Sequence, residues 1–153
     1  MSLRAPFAKQ SAHEEEIASG KERPHNDISL TMKILSIDHV QIAMPAGSEE
    51  RARAFYMKIL GFTEIPKPAE LAKRGGVWLQ SENVQLHLGI EPNFHPARKA
   101  HPAFIVYDLN SFIAKAESAG FKTDTSQPPL DGFKRAHIFD PFGNRIELME
   151  KIS

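Results

Sequence analysis

The chain has 153 residues, 41% of them apolar, and no cysteine. This allows one domain of ordinary size with its own core and excludes disulfides, thiolate metal ligands and a cysteine nucleophile. Its 19 basic residues balance 19 acidic ones, so no long-range field draws nucleic acid or an anionic membrane. With no apolar run of about 18 residues and no signal-peptide core, a cytoplasmic protein without membrane or nucleic-acid partners is expected.

Residues 1–31 hold few large apolar side chains and carry the run Glu14-Glu15-Glu16. They are read as an N-terminal extension, poorly structured or forming a short helix started by Ser11 and Glu14. The functional domain is expected over 32–151, with modules at 33–90 and 101–151. Alternation from Lys33 to Met44 predicts a strand ended by Pro45. Ser48 then caps a helix with Glu49 and Glu50 in its first turn, where the dipole favours them. Ala52, Phe55, Tyr56 and Ile59 form its buried stripe, and Gly61 ends it. Strands follow at 62–66, 76–80 and 84–90, broken by Pro66-Lys67-Pro68 with the loop after it and by the turn Ser81-Glu82-Asn83. The order is β-α-β-β-β.

Glu91 to Ala100, with Pro92 and Pro96, links this module to a second of the same order. Ala103 to Tyr107 is a strand. Asn110 caps a helix that turns Leu109, Phe112, Ile113 and Ala116 inward, and Phe121 to Thr125 is the next strand. The loop Ser126 to Gly132 serves either as a lid or as a solvated connection. A hairpin pairs 133–139 with 144–150 through Asp140-Pro141-Phe142-Gly143-Asn144.

The repeat carries chemistry. His39 and His101 are 62 residues apart, as are Gln85 and Glu147, so each half holds a histidine followed 46 residues later by a carboxyl or carboxamide group. A duplicated module places equivalent residues about a pseudo-two-fold axis, where four polar side chains from four strands can converge. Imidazole, carboxylate and carboxamide are donors that a divalent metal accepts. Glu147 lies between Ile146 and Leu148, and if those pack under the helices it points to the opposite face, where an isolated carboxylate needs a cation. His39, His101 and Glu147 thus make a 2-His-1-carboxylate set with open positions, and Gln85 or His87 is a fourth ligand or a pocket group behind the ligands. A single histidine beside a strand is more often a structural hydrogen-bonding group; the coincidence in two repeats favours ligation. His13, His25 and His95 are read as solvated. Lys134 and Arg135, and Arg98 with Lys99, can hold an anionic substrate group, surface solubility being the commoner role. Tyr56 and Trp78 are read as core, with pocket lining as the alternative.

The segments Ile37-Asp38-His39-Val40, Ala54-Phe55-Tyr56 through Leu60-Gly61-Phe62, His101-Pro102-Ala103-Phe104 and Asp140 through Leu148 resemble the vicinal oxygen chelate superfamily. That superfamily includes glyoxalase I, fosfomycin-resistance thiol transferases, bleomycin-resistance proteins and extradiol dioxygenases. The resemblance covers residues 33–151. It implies an α+β fold of two βαβββ modules forming an eight-stranded cupped sheet with helices on its outer face. It also implies one divalent metal (Fe, Mn, Ni or Zn) in the concavity, with the ligand positions falling on His39, His101 and Glu147. The remaining position, a glutamate in bacterial-type glyoxalase I, falls on Gln85, which is neither anion nor base. This lowers glyoxalase I and leaves other lyase, thiol-transfer or dioxygenase chemistry. The expected protein is a metal-dependent enzyme on a small oxygen-bearing, possibly anionic, molecule, the metal chelating and polarising it. Glu147 is its catalytic carboxylate, and a homodimer is expected, with sites closed within one chain or across two. The alternative is a metal-free sequestering protein of the bleomycin-resistance type.

Overall fold

The computed structural model describes residues 33–152; the expectation for 1–31 lies outside them. The elements are β1 (Val40–Met44), α1 (Glu49–Tyr56), β2 (Thr63–Ile65), α2 (Ala69–Ala72), β3 (Val77–Ser81) and β4 (Val84–Ile90), then β5 (Ala103–Val106), α3 (Leu109–Ser118), β6 (Thr123–Asp124), β7 (Phe133–Phe139) and β8 (Arg145–Lys151). Both modules therefore show the βαβββ order, the first with the extra single turn α2. That turn starts after Pro68, in the segment read as loop.

Hydrogen bonding forms two four-stranded mixed sheets, ordered β1-β4-β3-β2 and β5-β8-β7-β6. Val40 pairs with Leu86 in parallel, as Ala103 does with Glu147, and the remaining pairs are antiparallel. Among the described residues no ladder joins the two sheets, so the eight strands stand as two sets of four.

Three local expectations differ. The first strand begins at Val40 rather than Lys33, and Leu35 and Ile37 are exposed. The partner limits it: β4 starts at Val84, which the parallel register sets opposite Asp38, so no strand stands opposite 33–37. Ser48 occupies the N-cap of α1 without a side-chain capping bond. Asp108, not Asn110, caps α3, accepting from the Ser111 amide at 3.0 Å and its hydroxyl at 2.6 Å.

Ala52, Phe55, Tyr56 and Ile59 are buried as the helical stripe requires. They pack with Leu79, Leu86 and Leu88 from the first sheet and Ile138, Ile146 and Leu148 from the second into one core. Aromatic edges cross between modules, Phe55 against Phe121 at 4.8 Å and Phe62 against Phe104 at 5.7 Å between ring centres. The β7–β8 turn adds a polar tie. Asp140 Oδ2 accepts from the Tyr56 hydroxyl at 2.9 Å, and Asn144 Nδ2 donates to Asp140 at 2.8 Å and to the Ala43 carbonyl at 2.9 Å.

Candidate metal centre

The turn between β7 and β8 sets the site. Asp140 Oδ1 accepts from the amides of Phe142 and Asn144 at 2.9 and 2.8 Å, which fixes Phe139 opposite Arg145. Two residues further from the turn His137 faces Glu147, and two beyond that Arg135 faces Met149. Strand alternation sends Ala136, Ile138, Ile146 and Leu148 into the core and leaves Arg135, His137 and Glu147 on the other face.

Glu147 is 6% exposed. Its Oε1 accepts from Arg135 Nη1 at 3.0 Å and its Oε2 lies 3.1 Å from His101 Nε2. Burial raises this carboxyl's pKa, but the hydrogen bonds from Arg135 and His101 outweigh it and hold the group below the ordinary carboxylate range. His101 Nδ1 lies 2.8 Å from the Lys99 carbonyl and 2.9 Å from Arg145 Nη2. With the proton on Nε2, His101 donates to Glu147 and accepts from Arg145. With the proton on Nδ1 it donates to Lys99 while also facing the Arg145 donor, and the Nε2 lone pair faces a carboxylate, a pair that a cation between them would satisfy. An imidazole nitrogen and a buried carboxylate oxygen at this spacing are donors that suit a divalent metal, so the residues present fit one.

His137 completes the cluster and was not singled out from the sequence. It is 3% exposed, neither ring nitrogen has a hydrogen-bond partner, and its ring lies 5.2 Å from that of His101. Ligand atoms of His101, His137 and Glu147 all lie within 4.8 Å of one another. The signal was available: a hairpin turning at 140–144 places 137 opposite 147.

The structure brings together His101 and Glu147 of the expected ligand set. His39 stands elsewhere, Nδ1 on Asp38 at 2.7 Å and its ring stacked on His87 at 4.0 Å. Trp78 stacks on the other face of His87, also at 4.0 Å and within 2° of parallel. These three rings, with Gln85, Lys67 and Arg74, line a cavity of about 570 Å³. His87 is thus a pocket residue, and burial together with the nearby His39 lowers its pKa. Tyr56 is core as expected, whereas Trp78 is only partly buried and lines this cavity. Arg135 is engaged by Glu147 and by the Pro128 carbonyl at 2.8 Å, which ties the 126–132 loop to the site. Lys134 points away and pairs with Glu150 at 3.6 Å. Arg98 is exposed on the linker, and His95 there sits 2.9 Å from the Asn93 carbonyl.

Residues 36–148 match the model of the glyoxalase/bleomycin resistance protein/dioxygenase superfamily. The chain belongs to this superfamily, the vicinal oxygen chelate proteins. Among solved structures, it is 48% identical to a glyoxalase family protein from Bacillus anthracis, covering 78% of this chain and 98% of that one with a TM-score of 0.71. A glyoxalase family protein from Enterococcus faecalis is 26% identical over 75% of this chain and 97% of its own, with a TM-score of 0.60. The fosfomycin resistance protein FosX from Listeria monocytogenes shares the fold at 13% identity, covering 78% and 96% of the two chains with a TM-score of 0.63. The comparison with curated proteins gave no match. Among the described residues no helix is long and apolar enough to cross a membrane.

Proposed function

We propose that this chain is a metal-dependent enzyme acting on a small oxygen-bearing molecule, and that His101 and Glu147 anchor the metal. The observation that carries the reading is the His101 Nε2–Glu147 Oε2 pair at 3.1 Å, an imidazole nitrogen and a buried carboxylate oxygen at a spacing that one ion can bridge. Iron, manganese, nickel and zinc all accept this donor set, and a bound ion supplies Lewis-acid polarisation of substrate oxygens. Arg135 keeps Glu147 ionised and leaves its second oxygen for the ion. Brought up by the second copy that supplies His39, the cavity beside Trp78, His87 and His39 receives the rest of the substrate, and Lys67 and Arg74 in its lining favour an anionic group.

His39 is the further ligand expected from the sequence, and we assign its delivery to a second copy of the chain. Asn144 holds Ala43, four residues along β1 from His39, and four residues of strand span about 13 Å. Within one chain the donor atoms that come together are those of His101, His137 and Glu147, and His39 is not among them.

The Trp78–His87 stack gives a second reading its support, because a flat π surface also suits sequestration of a planar ligand without chemistry. Anaerobic reconstitution with iron, manganese, nickel or zinc followed by elemental analysis separates the two. About one ion per site is expected, abolished by Glu147→Ala or His101→Ala. Protein that retains none of the four metals is the sequestering module.

A further inference from the structure

We infer that His137 is a direct ligand of this metal, so that one chain alone offers three protein donors, His101, His137 and Glu147. The inference rests on the proposed metal centre and adds a residue on β7. The carrying observation is burial without satisfaction: the imidazole is 3% exposed, and neither nitrogen meets a partner among the described residues. A neutral imidazole has one donor and one acceptor, and leaving both dry is unfavourable unless something else satisfies them.

The surroundings say what that is. On its own sheet His137 is flanked by Asp124 on β6 and Glu147 on β8. Asp124 is already used, accepting from the Ser126 amide and hydroxyl at 2.9 and 2.6 Å and from Gln127 at 3.1 Å. Glu147 is shared between Arg135 and His101. No acceptor is left for the ring, whereas a cation beside Glu147 would meet its lone pair, since donors of all three residues lie within 4.8 Å. Donor count points the same way. Gln85 brings a carbonyl oxygen only, a weaker donor than a carboxylate, and His137 supplies an imidazole from the neighbouring module instead.

The test reads metal binding rather than turnover. His137→Gln is expected to lower Zn(II) affinity, measured by chelator competition, about 100-fold or more, because even groups behind the ligands cost 10–100-fold. In the Cu(II)-loaded protein the same change is expected to remove one nitrogen from the hyperfine pattern of the electron paramagnetic resonance spectrum. Since that variant can misfold, ring-15N histidine signals of the unmodified Co(II)-loaded protein give an independent count, with His137 expected among those shifted by the ion. Unmodified protein that binds metal while His137→Gln keeps its affinity and nitrogen count, or while the His137 signal stays unshifted, overturns this inference and leaves the metal centre standing. Unmodified protein that binds no metal overturns both.

Discussion

At the scale of single residues, two positions decide what the site can do and how the chain responds to pH. Gln85 replaces an acid with an amide that can neither take nor return a proton at carbon. The metal-loaded protein is therefore expected to isomerise the glutathione–methylglyoxal hemithioacetal far below the ~10 per second usual for enzymes, and Gln85→Glu to raise that rate to a detectable trace. Turnover at ordinary enzyme rates by the unmodified protein would show that Gln85 does not exclude this chemistry. Tyr56 is the second position. Burial first, and then the Asp140 carboxylate, hold its phenol protonated well above the usual tyrosine range. The unfolded chain ionises this group near 10 while the native chain does not, so the native state binds more protons there and loses stability as pH rises above 10. Tyr56→Phe is expected to lower stability at neutral pH by about 2 kcal/mol through the lost hydrogen bond to a charged group. It is also expected to flatten the fall in Tm between pH 9 and 11, and an unchanged alkaline slope would show that Tyr56 is not its source.

At the scale of elements, the hairpins fix which side chains meet, and glycine sets how closely strands approach. Gly76 enters β3 with φ +82°, donates its amide to Glu49 Oε1 at 3.1 Å and leaves no room for a Cβ against the Leu88 carbonyl. Backbone cannot swing aside as a side chain can, so Gly76→Ala is expected to cost about 2–3 kcal/mol or more, seen as a lower urea midpoint with unchanged slope. The same logic explains what was legible beforehand. Periodicity identified both modules, the α1 stripe and the β7–β8 hairpin, because burial writes itself into alternation and helical spacing. Strand ends were not legible where the partner limits them, as for residues 33–37, which have no strand opposite because β4 begins at Val84. The histidine spacing matched in both halves, yet the ladders differ: Val40 meets Leu86, but Ala103 meets Glu147, a register shifted by two residues. Sequence spacing names candidate donors and cannot place them around one point. His137 escaped because the repeat was searched for like residues at equivalent positions, while His137 stands out only by facing Glu147 across β7 and β8, where the first module has Gln80 facing Gln85.

At the scale of the whole molecule, no strand among the described residues pairs with the outer edge of either sheet. β1 and β5 each end a sheet, and on β5 and just beyond it Ile105 is 65% exposed and Tyr107 fully exposed, an apolar surface next to the groove of Leu60, Phe62 and Phe104. In the assembly proposed above, a second copy covers these edges and supplies His39 to the His101 and Glu147 of its partner, and a dimer is the expected state in light scattering. Ile105→Lys with Tyr107→Lys should give a monomer of unchanged circular dichroism. Mixing two defective proteins tests where the sites lie. In a dimer of one His39→Ala chain and one Glu147→Gln chain, sites built across the chains divide unequally: one loses both groups and the other keeps both. Sites built within a chain each keep one defect. Co-refolding the two variants is therefore expected to restore metal binding of unmodified affinity at one of the two sites in each mixed dimer, although neither variant has it alone. If no such sites return while the mixed dimers form, each chain completes its own centre and His39 must reach His101 by a movement of β1 within the chain.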